Sequence, residues 1–88
     1  TFGLGLTYLE LGRHEQARAF ARRWFQNRPF LPEAWELRAW VYWKTDRRAS
    51  AAWWMREALR LAGDRASPGM RRRAGYIFGP TDTGKETP

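Results

Sequence analysis

Residues 32–63 read PEAWELRAWVYWKTDRRASAAWWMREALRLAG, two apolar helical patterns on either side of a short polar turn. Apolar residues recur in both patterns at spacings of three and four, the spacing of one helix face. These positions are Trp35, Ala39, Tyr42, Ala51, Trp54, Met55, Ala58, Leu59 and Ala62. The stretch therefore predicts helices at residues 32–44 and 47–62, with Pro32 in the first turn of one and Asp46 as the cap of the other.

The residues before and after this stretch are predicted to be helical as well. The segment FGLGLTYLEL at residues 2–11 has helical spacing, and Gly12 after it is typical of a helix end. Residues 14–27 form a second helical pattern, which the prolines that follow interrupt. A fifth helix is predicted at residues 67–78, with Ser67 as its cap.

The helical pairs are copies of one pattern. A shift of 34 residues places Tyr8 on Tyr42 and Tyr42 on Tyr76. Small residues also coincide after this shift: Gly5 with Ala39, and Ala17 with Ala51. These four positions are expected to let the two helices of a pair approach closely. A period of this length, composed of helix, turn, helix and turn, is typical of helical repeats. Since one pair cannot bury its apolar face alone, the pairs are expected to stack.

These residues resemble the tetratricopeptide repeat family. The residues that match its pattern are Leu4, Gly5, Tyr8, Ala17 and Pro29 in the first copy and Trp35, Ala39, Tyr42 and Ala51 in the second. The positions that depart from it are Thr1, Ala21, Arg38, Met55 and Gly63. The resemblance implies an all-α fold, a right-handed superhelix of antiparallel helix pairs. The expected repeat domain spans residues 1–78, with repeats at about 1–31 and 32–65 and a terminal helix at 67–78, and residues 79–88 are expected to form a flexible tail.

The resemblance also implies a scaffold, adaptor or chaperone-like module that holds a segment of a partner protein, and not an enzyme. In that family the first helix of each pair lines a concave surface. The corresponding positions here are Phe2, Leu6, Leu9, Glu10, Glu33, Glu36, Trp40, Trp43 and Lys44. Trp40 and Trp43 are three residues apart on one helix face, so they are candidate anchors for a peptide. The alternative is that the two rings cover a neighbouring helix or a missing repeat.

The net charge of +7 is concentrated in the second half of the chain. Residues 47–73 hold eight basic and two acidic side chains. Such a region indicates an acidic protein, a nucleic acid or an anionic lipid as partner, or else arginine-rich helix faces in water. The densest basic group is a candidate anion or nucleic-acid patch: Arg65, Arg71, Arg72 and Arg73. The alternative is that these arginines form the polar outer face of a terminal helix.

The last residues contain a pattern related to nucleotide binding. The segment GPTDTGK at residues 79–85 has the spacing of a phosphate-binding loop, which favours a fragment of an ATPase as an alternative function. However, Glu86 stands where that motif has Ser or Thr. Two residues follow Glu86, too few for the helix whose N-terminus would face the phosphates.

Other classes of function have no support in the sequence. The chain has no Cys and a single His, His14, so we predict no metal site, no cofactor and no catalytic residues. No apolar run is long enough to span a membrane. The sequence begins without Met inside an apolar pattern, so we interpret it as a fragment whose uncovered end favours self-association as an alternative to a protein partner. A cytoplasmic location is expected, or a periplasmic one if a signal segment lies upstream, and the Arg-, Ala- and Trp-rich composition suggests, by analogy, a bacterial origin.

Overall fold

The computed structural model describes residues 2–79. Five α-helices account for most of them: α1 (Phe2–Glu10), α2 (His14–Asn27), α3 (Pro32–Lys44), α4 (Arg48–Ala62) and α5 (Pro68–Phe78). A 3₁₀ turn at Gly63–Arg65 follows α4, and no strand occurs among the described residues. The prediction of an all-α fold is confirmed.

The helices are arranged as two pairs and a terminal helix. α1 packs on α2, and α3 packs on α4 over the largest contact in the structure. α3 also contacts α1 and α2, so it joins the pairs, and α5 packs on α4. The buried core has two parts. One part is Leu9, Ala17, Ala21, Leu37 and Val41. The other part is Ala39, Ala51, Met55, Ala58, Ala74 and Ile77.

The 34-residue repeat is visible in the backbone as well as in the sequence. Gly12 and Asp46, one repeat apart, both have positive φ, 76° and 65° respectively. In both turns the carbonyl of the repeated tyrosine, Tyr8 or Tyr42, accepts a hydrogen bond of 2.9 Å from the amide five residues later. The prediction that Asp46 caps α4 is therefore wrong. Asp46 occupies the left-handed region that the turn requires, and α4 begins two residues later without a side-chain cap.

The cap predicted for the terminal helix is confirmed. Ser67 has extended backbone angles, and its Oγ accepts a hydrogen bond of 3.0 Å from the amide of Met70. Pro68 follows in the first turn, where its missing amide proton leaves no helical hydrogen bond unmade. Local chemistry thus determines where α5 starts.

Small residues control how closely the helices approach. Ala17, Ala39 and Ala51 are completely buried, as the repeat pattern predicted. A Cβ atom added to Gly5 would lie 2.6 Å from Cδ2 of Leu37, which is too close for a real contact. Gly5 therefore allows α1 to approach α3, so its close contact is between two helix pairs rather than within one.

Candidate partner-binding face

Side chains from α1, α3 and α5 meet on one side of the stack, which we call the inner face. It is defined by side-chain contacts among Phe2, Glu36, Trp40, Lys44, Arg73 and Tyr76, and Trp43 lies three residues from Trp40 on the same side of α3. Most of them were predicted as groove residues from the sequence. The face is held together by a charged contact at one end and by aromatic contacts at the other.

The charged contact links three helices. The Nε–H group of Arg73 on α5 donates a hydrogen bond to Oε2 of Glu36 on α3, and the two form an ion pair. The guanidinium carbon of Arg73 lies 4.4 Å from the centroid of the Phe2 ring on α1. The Arg73 side chain is 25% exposed and that of Glu36 is 1% exposed, so the ion pair is largely buried. Arg73 thereby connects α5 to α3 and, through Phe2, to α1.

The environment of Glu36 raises the pKa of its carboxyl group. Burial raises its pKa above the ordinary value, and the charge of Glu33 adds to the rise, whereas the hydrogen bond and the charge of Arg73 oppose it. Its Oε1 atom is buried and has no hydrogen-bond partner in the part of the chain that the structure describes. Among the described residues Arg73 is the hydrogen-bond partner of the Glu36 carboxyl group, and its loss would leave that buried group unsatisfied.

Trp40 has a structural role beside any role in binding. It is half-buried and packs against both parts of the core. The centroid of the Trp40 ring lies 6.2 Å from that of Tyr76 on α5. Lys44 Nζ lies 5.5 Å from the same Trp40 centroid. The sequence left open whether this ring anchors a partner or packs against a neighbouring helix, and the structure shows that packing takes part of its surface.

Trp43 has fewer contacts with the core than Trp40 has, because it packs against one part of the core instead of two. It is half-buried, packs against one part of the core, and has the guanidinium carbon of Arg48 at 4.1 Å from its ring centroid. Glu10, Glu33 and Lys44 are exposed at the margins of the face. An indole ring with one covered side and charged neighbours can serve as an amphipathic contact for a peptide.

Two predicted groove residues lie inside the fold. Leu9 is 6% exposed and belongs to the core between α1, α2 and α3, and Glu36 is completely buried. In this conformation neither offers surface to a partner. The family resemblance placed both on the concave surface, and it did not show that neighbouring helices cover them.

The basic residues that the sequence grouped together are divided in the structure. Arg73 is half-buried and paired with Glu36, and Arg71 donates a hydrogen bond of 3.3 Å to the carbonyl of Ala66. Arg72 is exposed. Arg65 lies with Glu33 in a cleft of about 430 Å³ lined also by Phe30, Leu31, Pro32, Leu61 and Ala62. The cleft that Arg65 lines includes none of Arg71, Arg72 and Arg73.

Tyr76 is an inner-face residue that the sequence reasoning missed as a site. It is 62% exposed, whereas its repeat equivalents Tyr8 and Tyr42 are half-buried. Those two tyrosines have an aromatic partner on the next helix, Phe20 at 6.3 Å and Trp54 at 6.4 Å between centroids. The 34-residue repeat signalled its position, but the groove was derived from two helices only.

The remaining predictions concern absences and the end of the chain. Within residues 2–79 no group of three or more His, Asp or Glu residues could hold a metal ion. Of the helices described, none is both long and apolar enough to cross a membrane. Residues 80–88, which include most of the predicted tail and of the phosphate-loop-like segment, lie outside the described residues.

Comparison with known proteins gives one match. The family model described as tetratricopeptide repeat matches residues 2–27 and 32–65, one match for each helix pair. The comparison with curated proteins and the comparison with solved structures each found no match.

Proposed function

Because this chain belongs to the tetratricopeptide repeat family, we propose that it binds a segment of a partner protein on the inner face and acts as a scaffold, adaptor or chaperone-like module. Repeats of this family generally mediate contacts between proteins, and the fold is typically a non-enzymatic scaffold. The chemistry of the face supports a peptide rather than a small molecule, because the surface is open and spread over three helices.

The observation that carries the proposal is the position of the aromatic rings. Trp40, Trp43 and Tyr76 lie along one side of α3 and α5, and each keeps part of its surface exposed. Trp and Tyr are the side chains that most often dominate binding energy at protein interfaces, since they bury a large area with few rotatable bonds. Lys44 and Arg48, each above an indole ring, add cationic edges that would suit acidic residues in the partner.

The roles of the two tryptophans should be separable by mutation. Trp40 packs against both parts of the core, so its truncation would alter stability as well as any binding. Trp43 contacts one part only, and its truncation should affect the surface more than the fold. Trp53, which is 47% exposed on α4 and outside the inner face, provides a matched control for loss of a surface indole.

The test is selection of peptides from a random phage-displayed library on the folded chain, followed by titration of the selected peptides. We expect Trp43→Ala to weaken binding by about tenfold or more, as removal of an aromatic hot spot does. Trp53→Ala should leave the affinity within about twofold, by the same reasoning. Failure to select any peptide, or peptides that respond to Trp53→Ala and not to Trp43→Ala, would contradict the proposal.

A further inference from the structure

Arg38 on α3 is a half-buried arginine that has no carboxylate partner within residues 2–79. Its guanidinium carbon lies 4.3 Å from the ring centroid of Trp54 and 5.2 Å from that of Phe25. Its Nη2 donates a hydrogen bond of 3.4 Å to the hydroxyl of Tyr42. Aromatic faces hold the charge in place without neutralising it, and no ion pair to Arg38 occurs among residues 2–79.

Three exposed arginines lie beside it. Arg18 and Arg22 come from α2, and Arg47 comes from the turn between α3 and α4. Two adjoining depressions connect them, one of about 40 Å³ and one of about 230 Å³. We call the combined site the arginine cleft, and its lining residues are Arg18, Ala21, Arg22, Arg38, Val41, Tyr42, Thr45 and Arg47.

The charge of the cleft is hardly compensated within the described chain. Two carboxylates are near it. Glu15 Oε2 lies 3.5 Å from Nη1 of Arg18, with its side chain 89% exposed. Asp46 is an exposed turn residue between the lining residues Thr45 and Arg47, and it forms no ion pair within the described residues. Arg22 and Arg47 have no ion pair in the described residues. Arg18 and Arg22 are also four residues apart on α2, a spacing at which like charges repel.

We propose that the arginine cleft binds a phosphate monoester, carried by a phosphorylated side chain of the partner protein. Such a group bears a charge of roughly −1.5 to −2 at neutral pH and three strong acceptor oxygens, which suit several guanidinium groups at once. Tyr42 accepts from Arg38, so its own hydroxyl proton is available to donate to the anion. This inference rests on the proposed function in one respect: the phosphate is carried by a partner protein.

The shape of the cleft favours a single phosphate group over a nucleic-acid strand. A strand requires cations placed along a track that follows its backbone. Here four arginines surround two small depressions bounded by α2, α3 and the turn before α4. Arg65 and Arg72, two exposed arginines of the basic group predicted from the sequence, line neither depression, so they do not extend the cleft.

The test is an NMR titration of the arginine Nε–H signals with N-acetyl-O-phosphoserine methylamide at about pH 7.5, where the phosphate is dianionic. The unphosphorylated serine compound is the matched probe. We expect saturable shifts of the signals of Arg18, Arg22, Arg38 and Arg47 with the phosphorylated probe and none with the serine probe. The double variant Arg22→Gln/Arg47→Gln should weaken binding by about tenfold or more, because it removes two charge-assisted contacts from exposed positions.

The control variant Arg65→Gln/Arg72→Gln removes the same charge from exposed positions outside the cleft. Equal weakening in both variants, or no saturable binding, would overturn the proposal. Binding of inorganic phosphate without binding of the phosphoserine probe would overturn it too, as would binding of oligodeoxythymidylate alone with a steep salt dependence. Trp43→Ala should leave the phosphoserine affinity unchanged, so failure of the inner-face proposal and failure of this one are distinguishable.

Discussion

Arg73 and Arg38 are both half-buried and both lie against aromatic rings, yet they differ in charge compensation. Arg73 is paired with the buried Glu36 and lies over Phe2, so its charge is used within the fold. Arg38 lies over Trp54 and Phe25 and has no carboxylate partner in the described chain. The comparison indicates that Arg73 stabilises the packing of α5 on the rest of the fold, whereas Arg38 keeps an uncompensated charge, as the proposed phosphate site requires.

The strongest test of this difference is Arg73→Met. It keeps most of the apolar stem but leaves Glu36 buried without its cation, so we expect a loss of about 2–4 kcal/mol in the free energy of unfolding. Urea denaturation followed by circular dichroism measures it. Arg72→Met, one position away and exposed, should change stability by less than about 0.5 kcal/mol. Equal effects of the two variants would show that the ion pair has no structural role.

The pH dependence of stability reports on the same pair and should be smaller, since titration affects only part of that energy. Burial raises the pKa of folded Glu36, so the folded state holds this proton more tightly than the unfolded state. The resulting stabilisation is complete below the unfolded pKa and is lost as pH rises through the folded pKa. The Glu36→Gln variant has an amide in place of the carboxyl group, so this contribution to the pH dependence is absent from it.

We therefore expect the stability of the unsubstituted chain to fall relative to that of Glu36→Gln as the pH rises above the ordinary glutamate pKa of about 4.3. Parallel urea titrations of the two proteins measure the difference, and the other carboxyl groups cancel because both proteins contain them. A relative stability that increases with pH over this range would mean that Arg73, rather than burial, dominates the pKa of Glu36.

Arg38→Met should have a smaller effect than Arg73→Met. It removes contacts with two aromatic rings and one long hydrogen bond, but it leaves no carboxylate unpaired. We expect a loss of about 1 kcal/mol, within the range for a partly desolvated cation–π contact. The same urea titration applies. A loss as large as that of Arg73→Met would remove the distinction between the two arginines.

The smallest expected effect concerns Arg22. Arg22→Gln relieves the repulsion with Arg18, so at low ionic strength it should stabilise the chain by about 0.2–0.5 kcal/mol. The gain should disappear at about 1 M salt, where charges are screened within a few ångströms. Arg72→Gln, which has no charged residue three or four positions away, is the control and should give no gain. A loss of stability for Arg22→Gln would indicate that its charge is already paired.

The sequence predicted the helices well for identifiable reasons. The predicted bounds of residues 14–27 and 32–44 coincide with α2 and α3. The signals used, apolar spacing and flanking prolines, are local, so they can be read without knowledge of the tertiary structure. α4 begins one residue later than predicted, since Asp46 adopts a left-handed turn instead of capping it. Partner binding by Trp40 and Trp43 stays a prediction, although their common helix face and partial exposure agree with it.

What the sequence determined by itself was local: the helices, the serine cap of α5, the 34-residue repeat and the family. What only the tertiary structure decided was which distant side chains meet. Glu36 and Arg73 are 37 residues apart and form a pair because α5 returns beside α3. Arg18 and Arg22 meet Arg38 and Arg47 because α2 packs on α3. Helical spacing fixes the face of a helix on which a residue lies, but the crossing of helices fixes what that face contacts.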